Sequence, residues 1–131
     1  MTPHSHSLSV RIYLEDTDAQ GIVYHANYLK YCERARTDIL AEQGYRLADL
    51  QAQGFVFVVY EMRLKFHRPA RLHDQLEIRS TAARTSDYRL TFSQTVFLEG
   101  ATDPVFTAEA HVVAIDDRGN LRALPEGLLT T

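Results

Sequence analysis

A single cysteine, Cys32, leaves the chain without any internal disulfide framework. No stretch approaches the roughly 18 apolar residues that a membrane helix requires, so any membrane contact is expected to be peripheral at most. No basic run is present to follow a phosphate backbone, and 14 Lys and Arg stand against 17 Asp and Glu for a net charge of -3. Nucleic acid is therefore not an expected partner. The opening MTPHSHSLSV has neither a basic n-region nor an apolar h-region. With the lone reduced cysteine, this leads to the expectation of a cytoplasmic protein. Internal repeats and low-complexity linkers are also missing. What is present is 131 residues, 45% of them hydrophobic, enough for one domain with a substantial core.

Hydrophobic periodicity divides that domain. Residues 1–7 are polar and read as a flexible N-terminus, with His4 and His6 able to hold a metal only loosely, and residues 8–131 form the folded unit. Leu8 to Leu14 alternates with Val10, Ile12 and Leu14 on one side, the period of a half-buried strand. From Asn27 the period becomes helical, with Tyr28, Cys32, Ala35 and Ile39 on one face and a stop near Gly44. Leu47 to Gln53 predicts a short surface helix closed by Gly54.

Phe55 to His67 is strand-like, and it predicts one face, Val56-Val58-Tyr60-Met62-Leu64-Phe66, that is buried throughout. Its other face is apolar only in the first half, which calls for a cover that a second subunit would supply, so at least a dimer is expected. Gln75 to Ala83, Tyr88 to Leu98 and Val105 to Ile115 continue the alternation. The small residues Ala108, Ala110 and Ala114 offer a helix a close approach, and Leu121 to Pro125 suggests an edge segment. Strand, long helix, then four strands joined by short turns is an α+β order: an antiparallel sheet wrapped around one helix.

The stretch around which the rest is arranged is Asp16 to Arg36, DTDAQGIVYHANYLKYCERAR. A carboxylate just upstream of a helix N-terminus faces unpaired backbone N–H groups and the positive end of the helix dipole. One short segment can thus supply both an anionic reactant and donors for an oxyanion. The same placement also suits an ordinary cap or turn residue.

The stretch EDTDAQGIVYHANYLKYCERAR, with VVYEMRLKFHRPARLHDQLEI downstream, resembles the hotdog-fold acyl-CoA thioesterases of the 4-hydroxybenzoyl-CoA thioesterase type, most of all the branch associated with the Tol-Pal envelope system. The resemblance spans roughly residues 8–125 and rests on the pattern D-x-D-x-x-G-x-V-Y-H-x-N-Y. It implies a five-stranded sheet around one long central helix, homodimers or homotetramers with active sites at subunit interfaces, and no metal or redox cofactor.

By the same resemblance Asp18 is the essential carboxylate, acting as nucleophile or as general base. The backbone N–H groups of Tyr24 and His25 would polarise the thioester carbonyl. Gly21 and Asn27 would line the substrate, with Arg63, Lys65, Arg68 and Arg84 as candidates for the coenzyme A phosphates. A basic cluster that some members carry before the fourth strand is mostly missing here, where the turn reads Arg84-Thr85-Ser86-Asp87-Tyr88-Arg89. The donor, coenzyme A or acyl carrier protein, stays open, and each of these cations also suits a solvated strand position.

Rival chemistries attach to the same residues. Asp16, Asp18 and His25 together could hold a divalent ion, and Cys32 with His25 could suggest thiol catalysis, although Cys32 falls on the apolar helix face. A non-catalytic acyl-binding or scaffold subunit would keep the fold without needing Asp18. A hotdog hydratase would need an Asp-His pair in a different setting.

Overall fold

In a computed structural model, which describes residues 4–130, the chain runs β1 (His4–Arg11), α1 (Asn27–Glu42), α2 (Leu47–Ala52), β2 (Val56–Phe66), β3 (Gln75–Arg84), β4 (Arg89–Leu98), β5 (Pro104–Ile115) and β6 (Leu121–Arg122). All pairings are antiparallel and the sheet order is β1-β3-β4-β5-β2. The two-residue β6 pairs with Ala114 and Ile115, just beyond the point where β4 begins. Five long strands wrapped on one long helix make the expected hotdog fold.

Both helices stop where a glycine permits a left-handed residue. At the end of α1, Gly44 (φ +88°) sends its N–H to the carbonyl of Ala41, and Tyr45 sends its own to that of Leu40. At the end of α2 the Gly54 and Phe55 N–H groups repeat the pattern on Gln51 and Leu50. In each case the residue after the glycine is aromatic and packs partly buried against the core, the apolar contact that accompanies a Schellman ending. The short helix is not purely superficial: Leu50 is only 4% exposed.

Helix α1 buries Tyr28, Tyr31, Cys32, Ala35, Ile39 and Leu40. Its backbone comes closest to β3 and β1, not to the alanine-lined β5 as expected. A buried amide fixes this off-centre seat: Gln94 on β4 donates Nε2 to the Cys32 carbonyl (2.9 Å) and to Ser80 Oγ (2.9 Å), and its Oε1 accepts from Arg36 Nη1 (3.0 Å). Every polar atom of that side chain is used, as a group buried at the sheet centre requires. Of the small inward residues of β5, Ala108 joins the cluster of Tyr28, Tyr31, Cys32 and Ala35, whereas Ala110 and Ala114 belong to a second cluster with Ile39 and Leu40 of the helix and Leu124, Leu128 and Leu129 from the C-terminal segment. Arg84 Nη1 holds that segment through the carbonyls of Pro125 (2.7 Å) and Leu128 (3.3 Å).

Three local expectations are overturned. Residues 4–7 are not flexible but pair as part of β1 with Arg79–Ala82, while residues 1–3 lie outside the described residues. Serines 5, 7 and 9 take the solvent side there, and a long neighbouring strand supplies the ladder that composition alone does not reveal. The strand also ends at Arg11, where the chain turns into a short 3-10 segment, so Leu14 is 73% exposed instead of facing inward.

The third concerns β2. A β-bulge at Tyr60 shifts the register between Val59 and Glu61, so the inward set is Phe57 and Val59 opposite Ala114 and Val112, then Met62, Leu64 and Phe66 opposite Ala110, Ala108 and Phe106. Val56, Val58 and Tyr60 point the other way, and no residue of β2 is fully buried because it is an edge strand. Truncating the central amide tests the helix seat: Gln94→Ala should cost about 2–4 kcal/mol in a denaturant titration, since it opens a cavity and strands the Ser80 hydroxyl.

Candidate active site

Asp16 to Val23 forms a miniature hairpin. Thr17 bridges Val23, the Asp18 N–H donates to Ile22 O (2.9 Å), and the Gly21 N–H donates back to Asp18 O (3.0 Å). Gly21 sits at φ +79°, a backbone conformation that glycine takes without a Cβ penalty. The returning arm docks on the β2–β3 connection, where Ile22 bridges Arg71 and the Val23 N–H meets Ala70 O (2.9 Å).

The hairpin is then tied to the helix start through one oxygen. The Asp16 carbonyl accepts from the Tyr24 N–H (2.9 Å) and from Asn27 Nδ2 (2.8 Å). The Asp16 carboxylate is occupied as well, its Oδ2 accepting the Tyr13 N–H at 2.8 Å. The carbonyl oxygen and one carboxylate oxygen of Asp16 thus serve local architecture.

Asp18, also half-buried, likewise accepts a single hydrogen bond, Gln20 N–H to Oδ1 at 2.8 Å, but from within the hairpin turn, and its other oxygen meets no donor among the described residues. A few residues on, the His25 N–H likewise meets no acceptor among the described residues, whereas the Tyr24 N–H is taken by Asp16. Of the two N–H groups expected to polarise a carbonyl, only that of His25 is free to do so. Asn27 is also spent on the frame, buried with its Nδ2 on Asp16.

Beside the helix start lies an open cavity of about 380 Å³ lined by Ile22, Val23, His25, Tyr28, Phe66, His67, Arg68 and Pro69. The arm after Asp18 therefore forms one wall. The opposite wall is aromatic: Tyr28 stacks on Phe106 with centroids 5.0 Å apart, and Phe66, 49% exposed, packs on both. His67 is held by Thr107 Oγ1 at 3.0 Å. Sequence reasoning did not place Phe66 and His67 here. Phe66 keeps the inward side its periodicity predicts, because the Tyr60 bulge changes the facing of only the first half of the strand.

The cations scatter. Arg68 reaches the cavity, with Nη2 3.7 Å from Asp103 in an exposed, solvent-screened pair. Arg63 and Lys65 lie opposite Glu109 and Thr107, on the sheet face away from the helix, so this chain does not bring them to the cavity. Arg84 is committed to the C-terminal carbonyls. Arg71 was missed; its backbone joins the hairpin at Ile22.

Among the described residues no group of three or more His, Cys, Asp and Glu is placed to hold a metal, Asp16, Asp18 and His25 included. Among the described residues no helix is long and apolar enough to cross a membrane.

An antiparallel sheet wrapped on one long helix is the architecture of the hotdog class, to which the acyl-thioester hydrolases similar to this chain belong. The chain belongs to the thioesterase superfamily, whose family model matches residues 20–105. It is 38% identical over 121 residues to an acyl-CoA thioester hydrolase, YbgC, of Escherichia coli O6:H1, covering 92% of this chain and 90% of that protein. A shorter match of 70 residues, 53% of this chain and 50% of the relative, is 47% identical to an acyl-CoA thioesterase, YbgC, of Helicobacter pylori.

Among solved structures, a probable thioesterase from Bartonella henselae superposes with a TM-score of 0.84 at 32% identity, covering 92% of this chain and 99% of that one. A 1,4-dihydroxy-2-naphthoyl-CoA thioesterase from Synechocystis, at 22% identity, shares the fold with a TM-score of 0.86 over 93% of this chain and 90% of its own.

Thiol chemistry is tested by Cys32 itself. The thiol is fully buried, and burial pushes its pKa up to about 11, only partly offset by Arg36. A raised value means that the unfolded chain ionises first, so this group's contribution to stability is intact below about pH 9 and lost as pH rises towards 11. Native protein at pH 8 should therefore be inert to a chromogenic disulfide reagent and react with one equivalent only after denaturation.

Proposed function

We propose that the protein hydrolyses acyl-CoA thioesters, with Asp18 as the reacting carboxylate and the His25 N–H at the start of α1 as the donor to the developing oxyanion. The observation that carries this reading is the placement of Asp18, one oxygen of which meets no donor among the described residues, in the hairpin that runs directly into the free His25 N–H at the start of α1. A donor near the positive end of a helix favours the charge that forms as the carbonyl becomes tetrahedral.

Two routes use the same groups. Asp18 can attack the carbonyl carbon, expel the thiolate and leave a mixed anhydride that water then cleaves. Alternatively it can take a proton from a water that attacks directly, returning it to the departing thiolate. The open cavity beside Phe66 and Tyr28 would take the acyl group, and Arg68 at its rim is the cation best placed for a phosphate of the donor. A coenzyme A donor accords with the expected cytoplasmic location.

We place the working site in a homodimer. β2 is last in the sheet order, and along its eleven residues the outward-directed N–H and C=O groups of alternate residues have no strand beside them, next to Val59 and a Tyr60 that is 52% exposed. A second copy of the same strand, run antiparallel about a two-fold axis, would pair that edge and cover the apolar side chains. Sedimentation at micromolar concentration should give at least a dimer, and a stable monomer would remove this part of the reading.

The acid is tested by paired substitutions assayed with a panel of acyl-CoAs. Asp18→Asn should lower kcat by about two to four orders of magnitude while the melting temperature stays near that of the parent, because an amide oxygen still accepts the Gln20 N–H but can neither attack nor take a proton. Asp16→Asn should retain most of its turnover. The reverse ranking in folded variants would reassign the essential carboxylate.

A further inference from the structure

One buried hydroxyl on α1 takes no part in the frame described above. Tyr31 follows Asn27 by four residues, so the two side chains leave the helix on one face. Asn27 holds the Asp16 carbonyl through its Nδ2 (2.8 Å), which brings that face against the residue where the hairpin begins. Tyr31 is 1% exposed, in the core cluster that also contains Ile12 and Val23 from either side of the hairpin. Its ring meets that of Tyr28 edge-on, centroids 6.2 Å apart, and Tyr28 is a wall of the cavity at the helix mouth. The Arg34 guanidinium lies 5.5 Å from the Tyr31 ring centroid.

The ring is fixed from several sides, yet its oxygen, shielded from water, has no hydrogen-bond partner among the described residues. A hydroxyl in that state has lost its bonds to water without replacement, and buried polar groups rarely persist so without a reason. Asp16 is the acid that faces it. One carboxylate oxygen of Asp16 accepts the Tyr13 N–H, and the other meets no donor among the described residues. Burial first, and then the Asp16 carboxylate, push the Tyr31 hydroxyl well above its ordinary pKa, with Arg34 acting the other way. The hydroxyl therefore stays protonated, and a donor, at any pH at which the protein is folded. A buried O–H and a half-used carboxylate thus lie within reach of each other's charge at the base of the hairpin.

We propose that Tyr31 is a positioning residue for thioester hydrolysis, resting on the reading of Asp18 as the reacting group: its hydroxyl donates to the open carboxylate oxygen of Asp16 and fixes the base of the hairpin that presents Asp18. A bond from a hydroxyl to a carboxylate is among the stronger hydrogen bonds. Its value here lies in what it joins. The Tyr13 N–H ties the Asp16 carboxylate only to the preceding turn, whereas Tyr31 ties it to α1, whose first residues carry the His25 N–H. Reacting acid and oxyanion donor are then both referenced to one helix, and displacement of one against the other by a fraction of an ångström slows the chemical step more than it weakens binding.

Tyr31→Phe keeps the ring and its packing and removes only the oxygen. It should lower kcat on acyl-CoA by about tenfold while KM stays within about twofold, and lower the melting temperature by about 2–5 °C. In an Asp16→Ala background the same substitution should change neither kcat nor the melting temperature, because the acceptor is already gone. An unchanged kcat in Tyr31→Phe, a loss as large in Asp16→Ala as in the parent, a loss carried by KM alone, or a melting temperature that rises on removal of an unpartnered hydroxyl would each overturn the assignment. Failure of the hydrolytic reading shows differently, as a parent protein that turns over no acyl-CoA or an Asp18→Asn variant that remains fully active, and either result would remove the positioning role along with it.

Discussion

The structure turns on where one helix rests. Gln94 reaches up from the centre of the sheet and takes the Cys32 carbonyl and the Arg36 guanidinium, so α1 settles over β1 and β3 rather than along the middle of the sheet. An amide at that depth tolerates few alternatives, because any other helix position would leave it, Ser80 or Arg36 unpaired in a dry setting. The consequences run in both directions along the helix. Its N-terminus is carried to the Asp16–Val23 hairpin, and its middle is held away from β2 and β5.

At the N-terminal end, economy of hydrogen bonding separates framework from chemistry. The Asp16 carbonyl gathers the Tyr24 N–H and the Asn27 amide, and the Asp16 carboxylate caps the 3-10 turn, so a residue that reads as reactive in one dimension is structural in three. Asp18, two positions later, lies in the hairpin turned by Gly21 and accepts the Gln20 N–H instead. The two acids thus sit in different local frames, one on the 3-10 turn and one in the hairpin.

The edge strand shows how one extra residue redirects a surface. The Tyr60 bulge swaps the faces of β2 part way along, giving the core Phe57 and Val59 before it and Met62, Leu64 and Phe66 after it. The displaced Tyr60 meets Arg89 (3.4 Å) on the other face, and Phe66 becomes a wall of the cavity at the helix mouth.

Much of this was legible in the residues. The period-two runs located the strands, the three-and-four spacing of Tyr28, Cys32, Ala35 and Ile39 located the helix, and the glycines marked its end, because these are local patterns set by backbone geometry. The motif from Asp16 to Tyr28 announced the hairpin and helix start for the same reason. Other features depended on partners distant in the chain. The sequence alone did not reveal that His4–Ser7 would find Arg79–Ala82, that a bulge would exchange the faces of β2, or that Arg84 would be taken by Pro125 and Leu128. Nor did it reveal that Tyr24 would spend its N–H on Asp16 while His25 kept its own. Which groups are left unpaired is a property of the whole hydrogen-bond arrangement, and only the tertiary structure decides it.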